Sequence, residues 1–490
     1  MIPLTLVAIA IGALLVFEPK IALGATILCV AFAVLLHRRT DLRIVVSSAF
    51  FLLVLIPELS VARPVVPLVG TSVYIPHLLI FAVLPVVDWS AFTRGFRRLL
   101  AGYVGIVGWM AIWGLANGGA LTAVLQDVRG PLSFFGGVVC ALALYQQGGL
   151  RSVLNLVPIT LGVSVALIGF QATTGLEILG GRVSDAVGFG GVGRAGAAID
   201  ATRFIVSSED LAVASLLVVF WWLTKNKYLQ PSRILLWLVA ASSVSIMVLS
   251  LSRQLLVGLA VGLIAWMLVR GGFKQSAHMV AVALPFILAA IVGLALLSIA
   301  GQGIGSSSVV GKQIDGFSER VLNGFTSESL QQDAGSSWRQ RENTYAIDVI
   351  VSQPLGTGLG RPYRPELEIE AFGDPTFFRR WVHNVYLWYG TKGGGLGLLA
   401  VALVTVVPFI VALRRARRPG PIDDPVAEAA VPILLAFGVM SLVDPVIINS
   451  NSGVITGALF ALLGLRTRPA FAAVSGQPDD AGQSVERAVR

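Results

Sequence analysis

Residues 379–397 read RRWVHNVYLWYGTKGGGLG, and the character of the chain changes inside them. Before them, from about 301 to 382, lies a long polar segment; after them, from 384 to about 413, lies a strongly apolar run. A run of about twenty apolar residues is the length that crosses a bilayer as a helix. His383, one of 4 histidines in the chain, sits at the junction. Arg379 and Arg380 precede it, aromatic residues flank it, and Gly393, Gly394 and Gly395 follow. The stretch therefore places a titratable ring at the surface of a membrane.

Similar apolar runs recur along the whole chain. They fall at 3–17, 21–36, 44–57, 74–87, 99–116, 131–146 and 152–171, then at 205–223, 233–251, 254–269, 277–300, 384–413, 426–445 and 452–465. Only 13% of the 490 residues are charged and mean hydropathy is +0.81; soluble domains carry roughly twice that charged fraction. The runs are continuous rather than alternating, which excludes a membrane β-barrel. The expected fold is an all-α polytopic membrane protein with about 12–14 transmembrane helices and one large outer loop subdomain. The N-terminal run lacks a basic leader and reads as the first span.

Net charge is +9, but its placement argues against nucleic acid. The basic residues form short clusters between runs: Arg38, Arg39 and Arg43; Arg94, Arg97 and Arg98; Arg414, Arg415, Arg417 and Arg418; Arg466 and Arg468. That alternation is the pattern that orients spans with basic loops inside. It divides the chain into 1–300 with the first helices, a large outer loop at 301–383 with one surface helix, the last helices at 384–465, and a disordered inner tail at 466–490. The surface helix is expected within WRQRENTYAIDVIVSQ, closed by Pro354 and the glycines of PLGTGLG. Cys29 and Cys140 fall inside spans as apolar fillers. His37, His77 and His278 have no metal-ligand spacing with His383, so neither a metal nor another cofactor is expected.

Three groups of candidate site residues stand out. His383 is either an interfacial histidine or a general base, because neutral imidazole accepts a hydroxyl proton near pH 7. Arg379 and Arg380 beside it are expected to disfavour the charged ring. Arg253, in LSLSRQLLVG, has almost no polar loop around it; an ionisable residue at that depth is a candidate ligand group, although it can also reach the headgroups. The large loop holds further arginines, Arg339 and Arg341 among them, whose planar forks suit phosphate oxygens. Asp127 and Arg129 read as a local ion pair ahead of a helix starting at Pro131.

The motifs resemble those of the O-antigen ligase family, which also contains Wzy-type polysaccharide polymerases. His383-Asn384, nine residues, then Gly394, Gly395, Leu396 and Gly397 are similar to its histidine–glycine motif. Arg339 through Pro354, followed by LGTGLG, resembles its arginine and proline–glycine segment. The aromatic residue expected a turn after the arginine is Asn343 if Arg339 is the equivalent, so Arg339 and Arg341 both stand as candidates. The resemblance implies transfer of a glycan from a polyprenyl diphosphate carrier to a sugar hydroxyl of a glycan or glycolipid acceptor. Transfer would occur at the outer face of a bacterial inner membrane, inverting and without metal. His383 would be the base, Arg253 with Arg339 or Arg341 would hold the diphosphate, and Asn384, Arg379, Arg380, Gly394 and Gly397 would support them. Ligase and polymerase share this chemistry and differ in acceptor. A lipid–polysaccharide flippase is the alternative; it needs charge inside the spans, and the spans here read as nearly free of it.

Overall fold

A computed structural model describes residues 40–55, 65–68, 71–174, 208–225, 233–250, 252–270, 334–364, 379–418 and 424–466. The apolar runs expected at 3–17, 21–36 and 277–300, most of both long outer segments, and the tail beyond 466 lie outside the described residues.

The chain is an all-α polytopic membrane protein. Its described helices are α1 (Thr40–Leu55), α2 (Ile75–Val83), α3 (Arg94–Ala116), α4 (Leu121–Gln146), α5 (Leu150–Thr174), α6 (Glu209–Lys225), α7 (Arg233–Leu249), α8 (Arg253–Arg270), α9 (Ala334–Ser352), α10 (Val385–Val404), α11 (Val406–Arg417), α12 (Pro425–Met440) and α13 (Ser450–Gly464). One small antiparallel hairpin, β1 (Val65–Leu68) with β2 (Thr71–Tyr74), precedes α2. Among the described residues four helical segments are long and apolar enough to cross a membrane: Arg94–Ala116, Leu121–Gln146, Val153–Phe170 and Val385–Arg417. Shorter apolar helices, including Arg253–Met267 and Pro425–Met440, pack among them.

Large apolar side chains stay exposed on the outside of the bundle. Ile112 on α3, Ile159 on α5, Trp237 on α7 and Leu399 on α10 are all exposed. Such faces are stable against hydrocarbon and a liability in water. Inside, glycines bring helices together. A Cβ at Gly457 of α13 would lie 2.0 Å from the Phe134 carbonyl oxygen of α4, the close small-residue approach common between membrane helices.

The bundle has two chemically different ends. At one end α3 begins with Arg94, Arg415 of α11 pairs with Asp424 at 2.6 Å, and Arg466 donates through Nε to the Phe92 carbonyl at 3.0 Å. These are residues of the basic loops expected inside. At the other end lie the α3–α4 turn, the segment 354–364, the approach to α10, and the turn after α12. Arg361 Nη1 reaches the Gly118 carbonyl of that turn at 3.4 Å. Val385 N–H donates to Ser441 O at 2.9 Å, and Gln254, beside Arg253, donates to Asp444 at 2.5 Å.

Two expectations are corrected. The helix expected to start at Pro131 runs from Leu121, with Pro131 inside it; its apolar face begins about two turns earlier, at Val124, which is buried. The spans also carry more charge than their composition implied, because Asp127, Lys392 and Glu428 are buried within α4, α10 and α12.

Candidate functional site

The sequence at 384 explains how His383 is presented. Asn384 is the N-cap of α10, its side-chain oxygen accepting from Tyr386 N at 3.0 Å and Leu387 N at 3.2 Å. A capping asparagine satisfies the orphan amides of the first turn, so His383 is fixed one residue outside a well-made helix start.

Its ring meets a group that the sequence reading missed. Nδ1 of His383 lies 2.6 Å from Oε2 of Glu342, and the His383 backbone N–H reaches the same oxygen at 3.4 Å. Glu342 is buried on α9, four residues after Trp338, whose Nε1 donates to Oε1 at 2.9 Å. Arg364 Nη2 stands 3.5 Å from Oε1, with its guanidinium 4.5 Å over the Trp338 ring. Spacing of four residues puts Trp338 and Glu342 on one helix face; that alternation around WRQREN was the only available signal, and the flanking arginines drew attention away from it. The Tyr363 phenol, buried beside this group, has no hydrogen-bond partner among the described residues. Burial first, and then the Glu342 carboxylate, hold it well above the ordinary tyrosine range, so it stays protonated.

The arginines separate into three kinds. Arg380, expected beside the ring as a cationic neighbour, instead turns into the bundle. It donates to Ala123 O at 3.0 Å, Asp127 Oδ1 at 3.2 Å and Gln126 Oε1 at 2.7 Å. The charge beside His383 is therefore a carboxylate. Arg379 donates to the Arg364 carbonyl at 3.5 Å. On α9, Arg339 is half-buried and lies three residues before Glu342, whereas Arg341 is exposed. Arg253 is half-buried at the first turn of α8, brought to the same end of the bundle as His383 by the Gln254–Asp444 and Val385–Ser441 contacts.

Asp127 is not a local partner of Arg129 in the way expected. Its carboxylate takes Arg380 on Oδ1 and, on Oδ2, the Gly360 N–H at 2.7 Å and Lys392 Nζ at 3.5 Å. Lys392 also donates to the Arg361 carbonyl at 2.5 Å. One carboxylate thus joins α4 to the segment 354–361, the irregular stretch before His383, and α10.

Gly394 and Gly397 are scaffold. Gly394 has φ 56° and ψ −136° and breaks α10 into two legs. A Cβ there would sit 1.7 Å from the Pro354 carbonyl, and at Gly397 1.8 Å from the Tyr389 carbonyl. Peptide groups freed by the break are satisfied by the neighbouring loop: Thr357 N–H donates to Thr391 O at 2.8 Å, Gly358 N–H to Lys392 O at 2.9 Å, and Gly395 N–H to Pro354 O at 3.2 Å. Broken helices persist in membranes only where such repair exists. Gly394 admits the 354–358 backbone, and Gly397 lets the second leg of α10 approach the first at Tyr389. Among the described residues, no group of three or more His, Cys, Asp or Glu is placed to hold a metal.

This multi-pass membrane protein thus carries a histidine–carboxylate pair at one end of its bundle, with Arg364 against the carboxylate. Residues 238–402, about a third of the chain, match the family model described as O-antigen ligase. The resemblance read from the His383 and glycine motifs is thereby borne out over the segment that carries them. The matched segment supports, in general terms, a glycan-transferring membrane enzyme. No curated protein matches the chain.

Proposed function

We propose that the chain moves a glycan from a polyprenyl diphosphate carrier to a sugar hydroxyl, at the outer face of a bacterial inner membrane, with inversion and without metal. The observation that carries this reading is convergence. In support of it, His383 touches Glu342 on the helix that carries Arg339, and the first turn of α8, with Arg253, is tied to the same end of the bundle, inside the matched segment.

The neutral His383 ring accepts the proton of the acceptor hydroxyl as its oxygen attacks the anomeric carbon. The bond from that carbon to the diphosphate breaks, and its electron pair leaves with the phosphate. Arg253 and Arg339 neutralise that charge; preorganised donors of this kind contribute about 3–4 kcal/mol each. The half-buried position of Arg339 on the Glu342 face supports it over exposed Arg341. Arg380, Asn384, Gly394 and Gly397 act as scaffold, and Arg379 steadies the backbone at Arg364.

The test is a chromosomal His383→Ala exchange with glycan sizing and lipid analysis. Loss of transfer with accumulation of lipid-linked donor at the outer face is expected. Normal glycan in the variant sinks the reading, and donor retained at the inner face converts it to a flippase. Sizing in a strain lacking the chain separates polymerase, where single units remain attached, from ligase, where attachment disappears.

A further inference from the structure

We infer that Glu342 is a positioning residue for this transfer, holding His383 by Nδ1 so that Nε2 is the atom that takes the acceptor proton. The inference rests on the function proposed above and adds a residue to it.

The geometry fixes both partners. Oε2 of Glu342 takes the ring at 2.6 Å and the backbone N–H of the same histidine at 3.4 Å, so rotation of the ring and drift of the chain are opposed together. The other oxygen is held independently, by Trp338 Nε1 at 2.9 Å and by Arg364 at 3.5 Å. With partners on both oxygens the carboxylate has no alternative orientation that keeps its bonds.

A carboxylate facing a guanidinium acts as an acceptor, so the hydrogen in the short contact belongs to Nδ1. In a neutral ring Nε2 then carries the lone pair. That nitrogen has no partner among the described residues, and the His383 side chain keeps 23% of its surface exposed against 1% for Glu342. A hydroxyl can therefore approach His383 and cannot approach Glu342. The carboxylate is excluded as the base by burial, although a glutamate is otherwise competent for that work.

The step balances without any other reagent. The acceptor O–H proton passes to Nε2, the oxygen forms its bond to the anomeric carbon, and the carbon–phosphate oxygen bond breaks with its pair to the diphosphate. The imidazolium so formed faces the Glu342 carboxylate, which stabilises it. Glu342 is thereby the orienting third member behind a base, acting through His383 and touching no substrate.

The experiment uses the full chain in lipid nanodiscs, with lipid-linked glycan recovered from cells that lack the chain as donor. Glu342→Gln keeps the shape and removes the acceptor-only charge. Its kcat is expected to fall on the order of 10²-fold to 10³-fold with KM little changed, and Glu342→Asp is expected to regain part of the loss. Independently of turnover, ¹⁵N-histidine spectra of the chain, with the His383 signal assigned by its absence in His383→Ala, should show a protonated Nδ1 and a bare Nε2 in the neutral ring. Glu342→Gln should mix the two tautomers. Native turnover in Glu342→Gln, or a native His383 protonated on Nε2, overturns the inference while leaving the transfer reading intact. Native turnover in His383→Ala overturns the transfer reading and this inference with it.

Discussion

Two buried carboxylates organise this end of the bundle, and they do opposite things. Asp127 is closed on every side: Arg380, Lys392 and the Gly360 amide occupy it, and both cations are themselves buried. Glu342 is held as tightly from behind, yet it presents a ring that remains partly open. The closed centre joins segments that are far apart in sequence. The open centre leaves one nitrogen without a partner among the described residues. The difference teaches that burial of charge does not itself mark a reactive site; in the proposed function the reactive centre is the one whose network ends in an atom without a partner among the described residues.

The comparison is broken most severely at the closed centre. Replacing Asp127 by Asn leaves two buried cations without an anion, and removing one partner of a buried pair costs about 3–5 kcal/mol. The expected outcome is a large drop in thermal unfolding temperature in detergent, with His383-dependent transfer lost only as the fold is lost. Adding Lys392→Met to Asp127→Asn should recover more than about 1 kcal/mol of it, because the two sites share one network. If Asp127→Asn unfolds like the native protein, the centre is not a clamp.

Gly394→Ala tests the joint between the two centres. The site combines a positive φ with a carbonyl 1.7 Å from the added methyl. Backbone strain of this kind costs about 1–3 kcal/mol before any clash is counted. A destabilisation of about 3 kcal/mol, read by the same unfolding assay, is expected. A stable, fully active alanine variant would mean that α10 tolerates a straight path there.

Much of this was legible in the sequence. Apolar runs and basic clusters define a polytopic helical protein because bilayer thickness and loop charge act directly on composition. His383 and Asn384 were legible because they stand where polarity changes. Glu342 was not, since a single acid between two arginines in a polar helix looks solvated, and only the fold brings it to residue 383. Arg380 was misassigned for the same reason: adjacency in sequence to His383 says nothing about which way a side chain leaves the backbone. Asp127 was noticed but matched to its neighbour Arg129, when its charge is used by residues more than two hundred positions away.

At the open centre the two loop arginines give a smaller contrast. Arg339→Ala is expected to lower kcat/KM by about 10²-fold, the cost of one preorganised donor to a leaving group. Arg341→Ala, whose side chain is exposed on α9, should change it by less than about 3-fold, as surface substitutions away from a site do. Equal losses in the two variants would remove the reason for placing the diphosphate on the Arg339 side.

The smallest effect is expected at Tyr363. Its hydroxyl is buried beside Glu342 with no hydrogen-bond partner among the described residues, and a buried donor left unsatisfied costs stability. Tyr363→Phe deletes that donor and keeps the ring on which Arg364 rests, 5.6 Å from its guanidinium. Stability should therefore stay within about 1 kcal/mol of native or rise slightly, because no hydrogen bond is lost. Turnover separates the two meanings of the free hydroxyl. Unchanged kcat/KM places Tyr363 with the supporting shell of the open centre, and a loss of more than about 10-fold, roughly 1.4 kcal/mol, places its hydroxyl against bound substrate.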